Sequence, residues 1–242
     1  MIFYDFHIHS CLSPCADDDM TPHNIAGMGY LKGLGAMALT DHNTCKNCPA
    51  FFAACERFGI VPIAGMELST SEDIHIVCLF PSLEAALAFD SELDSHRAPI
   101  ENRPDRFGNQ IIMNENDEAV GTFDILLIAA TDLWLGEAVD LARSYGAAVY
   151  PAHIDREANG IITMLGDFPA DYGFACMELR DGENYDKYIE MFPHIKDNRV
   201  LVCSDAHSLG NISEAENALE IDTSITEIDK IRAEILSYIS KS

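Results

Sequence analysis

His7-Ile8-His9 closes one apolar run of the chain, Asp41-His42 a second and Asp205-Ala206-His207 a third. In an extended strand the side chains at i and i+2 share a face, so His7 and His9 point the same way, as do Asp205 and His207. Each pair offers two ligand atoms to one ion. Imidazole and carboxylate together suit Zn, Mn or Fe, and three such pairs meet only where their strands lie side by side in a sheet or barrel. A polynuclear metal site is the simplest reading. Glu67 and His153 also fall at the ends of apolar runs, while His75 stands at the start of one. A lone histidine in an apolar run is more often a satisfied core residue than a ligand. Six of the nine histidines occupy that setting, four of them near a carboxylate, which reverses the expectation.

The elements that must position these residues follow from the hydrophobic pattern. Apolar runs at 2–8, 36–41, 60–67, 74–80, 147–153, 174–179 and 199–204 read as strands. Between most of them, 22–33, 47–58, 83–96, 133–145, 184–191, 212–220 and 225–240 read as helices. The first of these opens on Thr21 and Pro22, an N-cap followed by a first-turn proline, and the last carries Ile225, Ile228, Ile231 and Ile235 at amphipathic spacing. Seven strands alternating with helices predict a parallel α/β arrangement, closed or nearly closed into a barrel, whose working side chains sit at the carboxyl ends of the strands. One stretch, 97–130, breaks the alternation. Its Gln110-Ile111-Ile112-Met113, the turn at Asn114–Asp117 and Glu118-Ala119-Val120-Gly121 predict a hairpin or small inserted lobe able to cover the site. No repeat or linker divides residues 1–242, so one domain is expected.

Composition narrows the class. A chain of 242 residues with 48% hydrophobic content can bury one sizeable core. It shows no leader-like amino terminus and no run near the ~18 apolar residues a membrane span needs, so a soluble protein with no membrane partner is expected. Eight irregularly spaced cysteines, including Cys78, Cys176 and Cys203 inside apolar runs, predict reduced thiols and a cytoplasmic location. A net charge of −25 with only 15 basic residues counts against a long nucleic acid and leaves a small anionic substrate open.

The ordered set His7-x-His9, Thr40-Asp41-His42-Asn43, Gly65-Met66-Glu67-Leu68-Ser69, His75, Pro151-Ala152-His153 and Ser204-Asp205-Ala206-His207 closely resembles the polymerase and histidinol phosphatase (PHP) family of metal-dependent phosphoesterases. The resemblance runs from the first strand to the seventh. It implies a distorted seven-stranded (β/α)7 TIM-like barrel holding two to three divalent ions. The first would be held by His7, His9, Glu67 and Asp205, with Glu67 bridging to a second held by His75 and His153. The third would take His42, His207 and one carboxylate from the loop after His9. Counting back from Pro22 points to Asp17, with Asp18 and Asp19 as alternatives, and the loop carries a short insertion containing Pro14 and Cys15. Asp41 reads as a hydrogen-bonding support for a ligand.

The implied activity is phosphoester hydrolysis by metal-activated water, with Glu67 and Asp205 among the catalytic residues. The expected substrate is a small phosphorylated metabolite, a nucleotide or nucleoside bisphosphate among the candidates. Mixed His and carboxylate ligation does not choose among Zn, Mn and Fe. Arg156 and Arg180 are candidates to clamp a substrate phosphate, Arg156 as a catalytic residue. Surface ion pairing is the competing role for both. Arg103 and Arg106 on the inserted stretch are weaker candidates. His23 reads as a surface residue, and Asp155 as solvated or locally paired. Cys11 and Cys15, with Cys45 and Cys48, fall on neighbouring loops, where four thiolates could hold an additional Zn or an Fe–S cluster. Four free thiols are the favoured reading. A metal- or redox-sensing binding protein is the rival class. A metal-dependent amidohydrolase is the rival chemistry, disfavoured because Glu67, with no lysine nearby, fills the bridging place.

Overall fold

The computed structural model describes residues 1–221 and 227–241. Ile225, expected in the last helix, lies outside the described residues. The first half of the chain forms β1 (Ile2–Asp5), α1 (Pro22–Leu31), β2 (Ala36–Leu39), α2 (Cys48–Phe58), β3 (Val61–Ser69), β4 (His75–Phe80) and α3 (Leu83–Leu93). An inserted stretch follows with α4 (Pro104–Phe107), β5 (Ile111–Met113) and β6 (Ala119–Thr122). The remainder comprises α5 (Leu135–Ser144), β7 (Ala148–Pro151), α6 (Ile161–Leu165), β8 (Cys176–Leu179), α7 (Tyr185–Met191), β9 (Arg199–Val202), β10 (Ala218–Leu219) and α8 (Ile228–Ser240).

Local chemistry accounts for the helix ends. The Thr21 hydroxyl accepts from the Asn24 N–H at 3.3 Å with Pro22 in the first turn, and α2 stops at Gly59, whose φ of 69° is costly for a residue with a Cβ. The expected helix at 212–220 does not form. The chain there runs as turns and gives the short strand β10, which pairs antiparallel with β1.

All seven apolar runs contain strands, but they do not make one parallel barrel. A six-stranded sheet has the order β10-β1-β2-β3-β4-β7, and β8-β9 form a separate parallel ribbon. The sheet curls into a half-barrel. The ribbon reaches the sheet beside β7 and β1: the Ile154 N–H donates to the Glu178 carbonyl at 2.9 Å, and the His9 N–H to the Ala206 carbonyl at 2.9 Å. β4 runs antiparallel to both β3 and β7. Its connection from β3, residues 70–74, is far shorter than the dozen or so residues a parallel crossover requires, so the chain must turn straight back.

This reversal matters for the site. Ser69 pairs with His75, so the start of β4 lies at the same mouth as the end of β3. Beneath the mouth, Tyr4, Phe6, Ile63, Val77, Leu79 and Tyr150 belong to one buried apolar cluster with Ile235 and Ile239 of α8. Arg232 of α8 donates from Nε to the Pro62 carbonyl at 2.8 Å, so this helix closes the end of the curl opposite the mouth. The hairpin β5-β6 packs over the loops after β1 and β2: the Ile111 N–H donates to the Cys11 carbonyl at 2.8 Å, and the Met113 N–H to Asn47 Oδ1 at 2.9 Å.

Candidate metal centre

Glu67, two residues before the end of the fully buried β3, is the hub of the mouth. Its Oε1 lies 2.8 Å from His75 Nδ1, 3.0 Å from His153 Nε2 and 3.3 Å from His7 Nε2. Its Oε2 lies 3.0 Å from His42 Nδ1 and 3.2 Å from His9 Nε2. Asp205 Oδ1 approaches His9 Nε2 at 3.3 Å, His7 Nε2 at 3.5 Å and His207 Nδ1 at 3.6 Å. The chain thus brings six histidines and two carboxylates from β1, β2, β3, β4, β7 and β9, or the residues just beyond them, to one point.

Three overlapping groups of donors have their ligand atoms within 4.8 Å of one another: His7, His9, Glu67 and Asp205; His42, Glu67 and His75; and His9, His42 and His207. Several contacts make no sense as hydrogen bonds alone. His7 Nε2 and His9 Nε2 face each other at 3.2 Å, and His42 Nδ1, Glu67 Oε2 and Asp205 Oδ1 are buried without a hydrogen-bond partner. Buried polar atoms without partners cost about 1–3 kcal/mol each, and divalent cations between these imidazoles and carboxylates would satisfy them all. The donor set fits such ions. The backbone is bent to deliver it: His153 and Asp205 have φ of 27° and 50°, and Asn43, beside His42, has φ of 50°.

Electrostatics follow the same geometry. Burial opposes charge on Glu67, but the His75, His7 and His42 imidazoles hold its carboxyl well below the usual range. Asp205 is likewise held down, against burial, by His7 and His9. His7 is raised well above an ordinary imidazole, burial being outweighed by Glu178, Glu67 and Asp205. His207 is pushed down to about 3 by burial and by His9.

A supporting shell escaped the sequence reading. Glu178 of β8 is fully buried; its oxygens lie 2.9 and 3.1 Å from His7 Nδ1, and Oε1 accepts the His153 backbone N–H at 3.1 Å. One carboxylate therefore orients two candidate ligands. A lone glutamate in an otherwise apolar strand was the available signal. Asp41 accepts from the Ser10 N–H and from the Ser10 and Ser13 hydroxyls at 2.7 Å each, and it reaches a candidate ligand only through Ser13, whose Oγ lies 3.0 Å from His9 Nδ1. Asn43 donates from Nδ2 to the Leu127 and Ala129 carbonyls, fastening the inserted stretch to the site loop.

The other candidates divide. Arg156 reaches the mouth, with Nη1 3.0 Å from Asp205 Oδ2. Arg180 is exposed, and the loop it starts is capped by Asp155, which accepts the Arg180 and Asp181 N–H groups and Asn184 Nδ2. Arg103 lies over the Phe107 ring within α4's own segment, and the His23 ring packs on Phe58. Asp17 is exposed and belongs to none of the three donor groups, and Asp18 is engaged by Asn109. The four thiols do not gather, which corrects the optional cluster. Cys11 donates toward the Ile111 carbonyl and Cys45 and Cys48 toward that of Gly65, while Cys15 is exposed.

Residues 5–202 match the PHP domain family. The chain belongs to that family. A 5'-3' exoribonuclease from Haemophilus influenzae is 33% identical over 103 residues, covering 39% of this PHP chain and 36% of the relative, so the match spans about a third of that protein's length. A lesion-specific endonuclease, PfuEndoQ from Pyrococcus furiosus, shares the fold with a TM-score of 0.61 at 20% identity, over 86% of this chain and 49% of that one. A second Endonuclease Q structure, with a 27-mer duplex carrying an abasic lesion at its active site, has a TM-score of 0.57 at 20% identity and the same coverages, 86% and 49%. A metal-dependent phosphoesterase from Bifidobacterium adolescentis, so described provisionally, has a TM-score of 0.59 at 18% identity over 91% and 93% of the two chains. These relatives overturn the expectation of a small phosphorylated partner and no long nucleic acid. Net charge averages over the whole surface, whereas a strand is gripped locally, and cations bound at a mouth are the largest charges there. Among the described residues no helix is long and apolar enough to cross a membrane.

Proposed function

We propose that this PHP protein is a metal-dependent phosphoesterase that hydrolyses phosphodiester bonds of nucleic acid, taking a strand end into the mouth around Glu67. The observation that carries the reading is the set of three donor groups sharing Glu67, His9 and His42. When bound, divalent ions there would polarise the phosphoryl oxygens and activate the attacking water. His7, His9, Glu67 and Asp205 would hold one ion, His75 and His153 with Glu67 a second, and His42 with His207 a third.

The chain's own groups do the positioning. Glu178 fixes the His7 ring and the His153 backbone. Arg156, whose side chain is 39% exposed beside Asp205, is a cation placed to orient the non-bridging phosphate oxygens. The named activities of the exoribonuclease and endonuclease relatives favour a polymeric substrate over a free metabolite. The free, mostly buried cysteines support the expectation of a reducing cytoplasm.

The test incubates protein loaded with Mn or Zn with end-labelled RNA and DNA strands, alongside free nucleotides and nucleoside bisphosphates. Shortened strands are expected. Intact strands with metal bound would overturn the reading, and turnover of the free nucleotides alone would return the substrate to a small phosphorylated metabolite.

A further inference from the structure

The donor group of His9, His42 and His207 differs from the other two in containing no carboxylate. With His9 Nε2 turned to Glu67 and Asp205, His42 and His207 are left to hold this ion; they bring it no negative charge, and a tetrahedral site has room for a further ligand. The loop after His9 is pinned to all three histidines. Ser13 Oγ lies 3.0 Å from His9 Nδ1 and accepts the His42 backbone N–H at 3.2 Å. Two residues past the cysteine, the Asp17 N–H donates to the His207 carbonyl at 2.9 Å. Cys15 stands between these anchors, and its thiol is within hydrogen-bonding reach of the His42 ring. Gly108 of the inserted stretch, at φ 100°, packs on the Pro14 carbonyl so closely that any Cβ would collide, holding the loop from above.

The aspartates of the same loop are turned elsewhere. Asp18 is engaged by Asn109 Nδ2 at 3.0 and 2.8 Å, and Asp17 and Asp19 are exposed. His42 Nδ1, by contrast, is buried at the site without a hydrogen-bond partner.

We propose that Cys15, as a thiolate, is the anionic ligand that joins His42 and His207 on the third ion, His9 being kept by the ion at Glu67 and Asp205. This rests on the metal-dependent reading above. Cys15 lies outside the 4.8 Å grouping of the three imidazoles, and its exposure leaves the side chain free to rotate inward when an ion is present. A soft thiolate beside two imidazoles selects Zn or Fe(II) over Mn at this position, while the carboxylate-rich positions around Glu67 stay permissive.

The experiment loads the full chain with cobalt(II) alone, following near-ultraviolet absorption and bound metal by elemental analysis. Wild type is expected to show a thiolate-to-cobalt charge-transfer band. Cys15→Ser should lose the band and bind one metal equivalent about tenfold or more weakly, in line with the loss of a well-placed ligand contact. Cys15→Asp should restore the equivalent without the band, and Cys45→Ser/Cys48→Ser should keep the band. Because Cys15 is exposed, its variants test the ligand without testing the fold. Cobalt bound with no charge-transfer band, or a band that survives Cys15→Ser, overturns the proposal and leaves the hydrolase reading intact. A wild-type chain that binds no cobalt overturns both.

Discussion

The mouth of the half-barrel and the layer directly beneath it are built from the same strands and obey opposite rules. Beneath, Tyr4, Phe6, Ile63, Leu79 and Tyr150 form a buried apolar cluster, with the Tyr4 and Phe6 rings stacked at 4.6 Å. At the mouth, imidazoles and carboxylates crowd together with buried atoms left unpartnered and with positive φ at Asn43, His153 and Asp205. Departures from local rules concentrated in one place mark a site shaped for a ligand, and here the apolar layer supplies the stability that tolerates them. The contrast predicts a separation of effects. Replacing His7 and His9 together by Ala should remove the ion between Glu67 and Asp205 and lower turnover by several orders of magnitude, read by metal content and strand cleavage with circular dichroism as the fold control. Full activity in that variant would break the ligand assignment. Phe6→Ala, one residue away and fully buried, should instead cost about 3–5 kcal/mol of stability in urea unfolding. A small loss would mean the apolar layer is not the foundation.

The mouth also titrates, and the layer beneath does not. Burial lowers His9, but Asp205 and Glu67 overcome it and raise the imidazole to about 9. His42, opposed by burial and by His9, is raised by Glu67 to about 9 as well. Without ions both rings are therefore protonated at neutral pH, and a protonated ring cannot ligate. Metal binding must displace those protons, so apparent affinity should climb as pH rises toward that value, about tenfold per pH unit for each proton released, and level off above it. Calorimetric titration in buffers of different ionisation enthalpy counts the protons. Release that is absent at neutral pH would show that the carboxylates do not hold the rings charged.

What the sequence revealed of this contrast was uneven, for physical reasons. Apolar runs announce strands, so all seven were legible, and i, i+2 spacing announced the pairs His7/His9 and Asp205/His207. Strand direction is not written in hydrophobicity. It was written in the short 70–74 connection, which forbids a parallel crossover and explains how His75, at the start of β4, reaches the same mouth as Glu67. The 212–220 segment misled because short apolar periodicity does not separate a helix turn from an edge strand. Asp17 rested on counting back from Pro22, which fixes a position along the chain and not the direction of a side chain. Glu178 stands out in the sequence only as a glutamate inside an apolar strand, and its role emerges from partners 171 and 25 residues away. Glu178→Gln sharpens the point. Without the negative charge behind His7, metal affinity should fall about 10–100-fold with the fold retained, measured by competition with a chelator. Unchanged affinity would reduce Glu178 to a packing role.

The smallest effect is expected where chemistry looked plausible in the sequence but the fold has made it inert. Cys45 and Cys48 direct their thiols at the Gly65 carbonyl, at 3.2 and 3.7 Å, within the apolar cluster that includes Met37, Leu39 and Phe51. Burial, with Cys48 and Asp90 adding to it, pushes the Cys45 thiol well above its ordinary range, so it stays protonated and is a poor ligand and nucleophile. The carbonyl they share lies two residues from Glu67, yet the thiols approach the strand from the side packed against α2. Cys45→Ser/Cys48→Ser should therefore leave metal content and hydrolysis unchanged, since each hydroxyl can still donate to the same carbonyl. Loss of a zinc or iron equivalent from that variant would turn this packed corner into a second metal site and erase the distinction between the mouth and its surroundings.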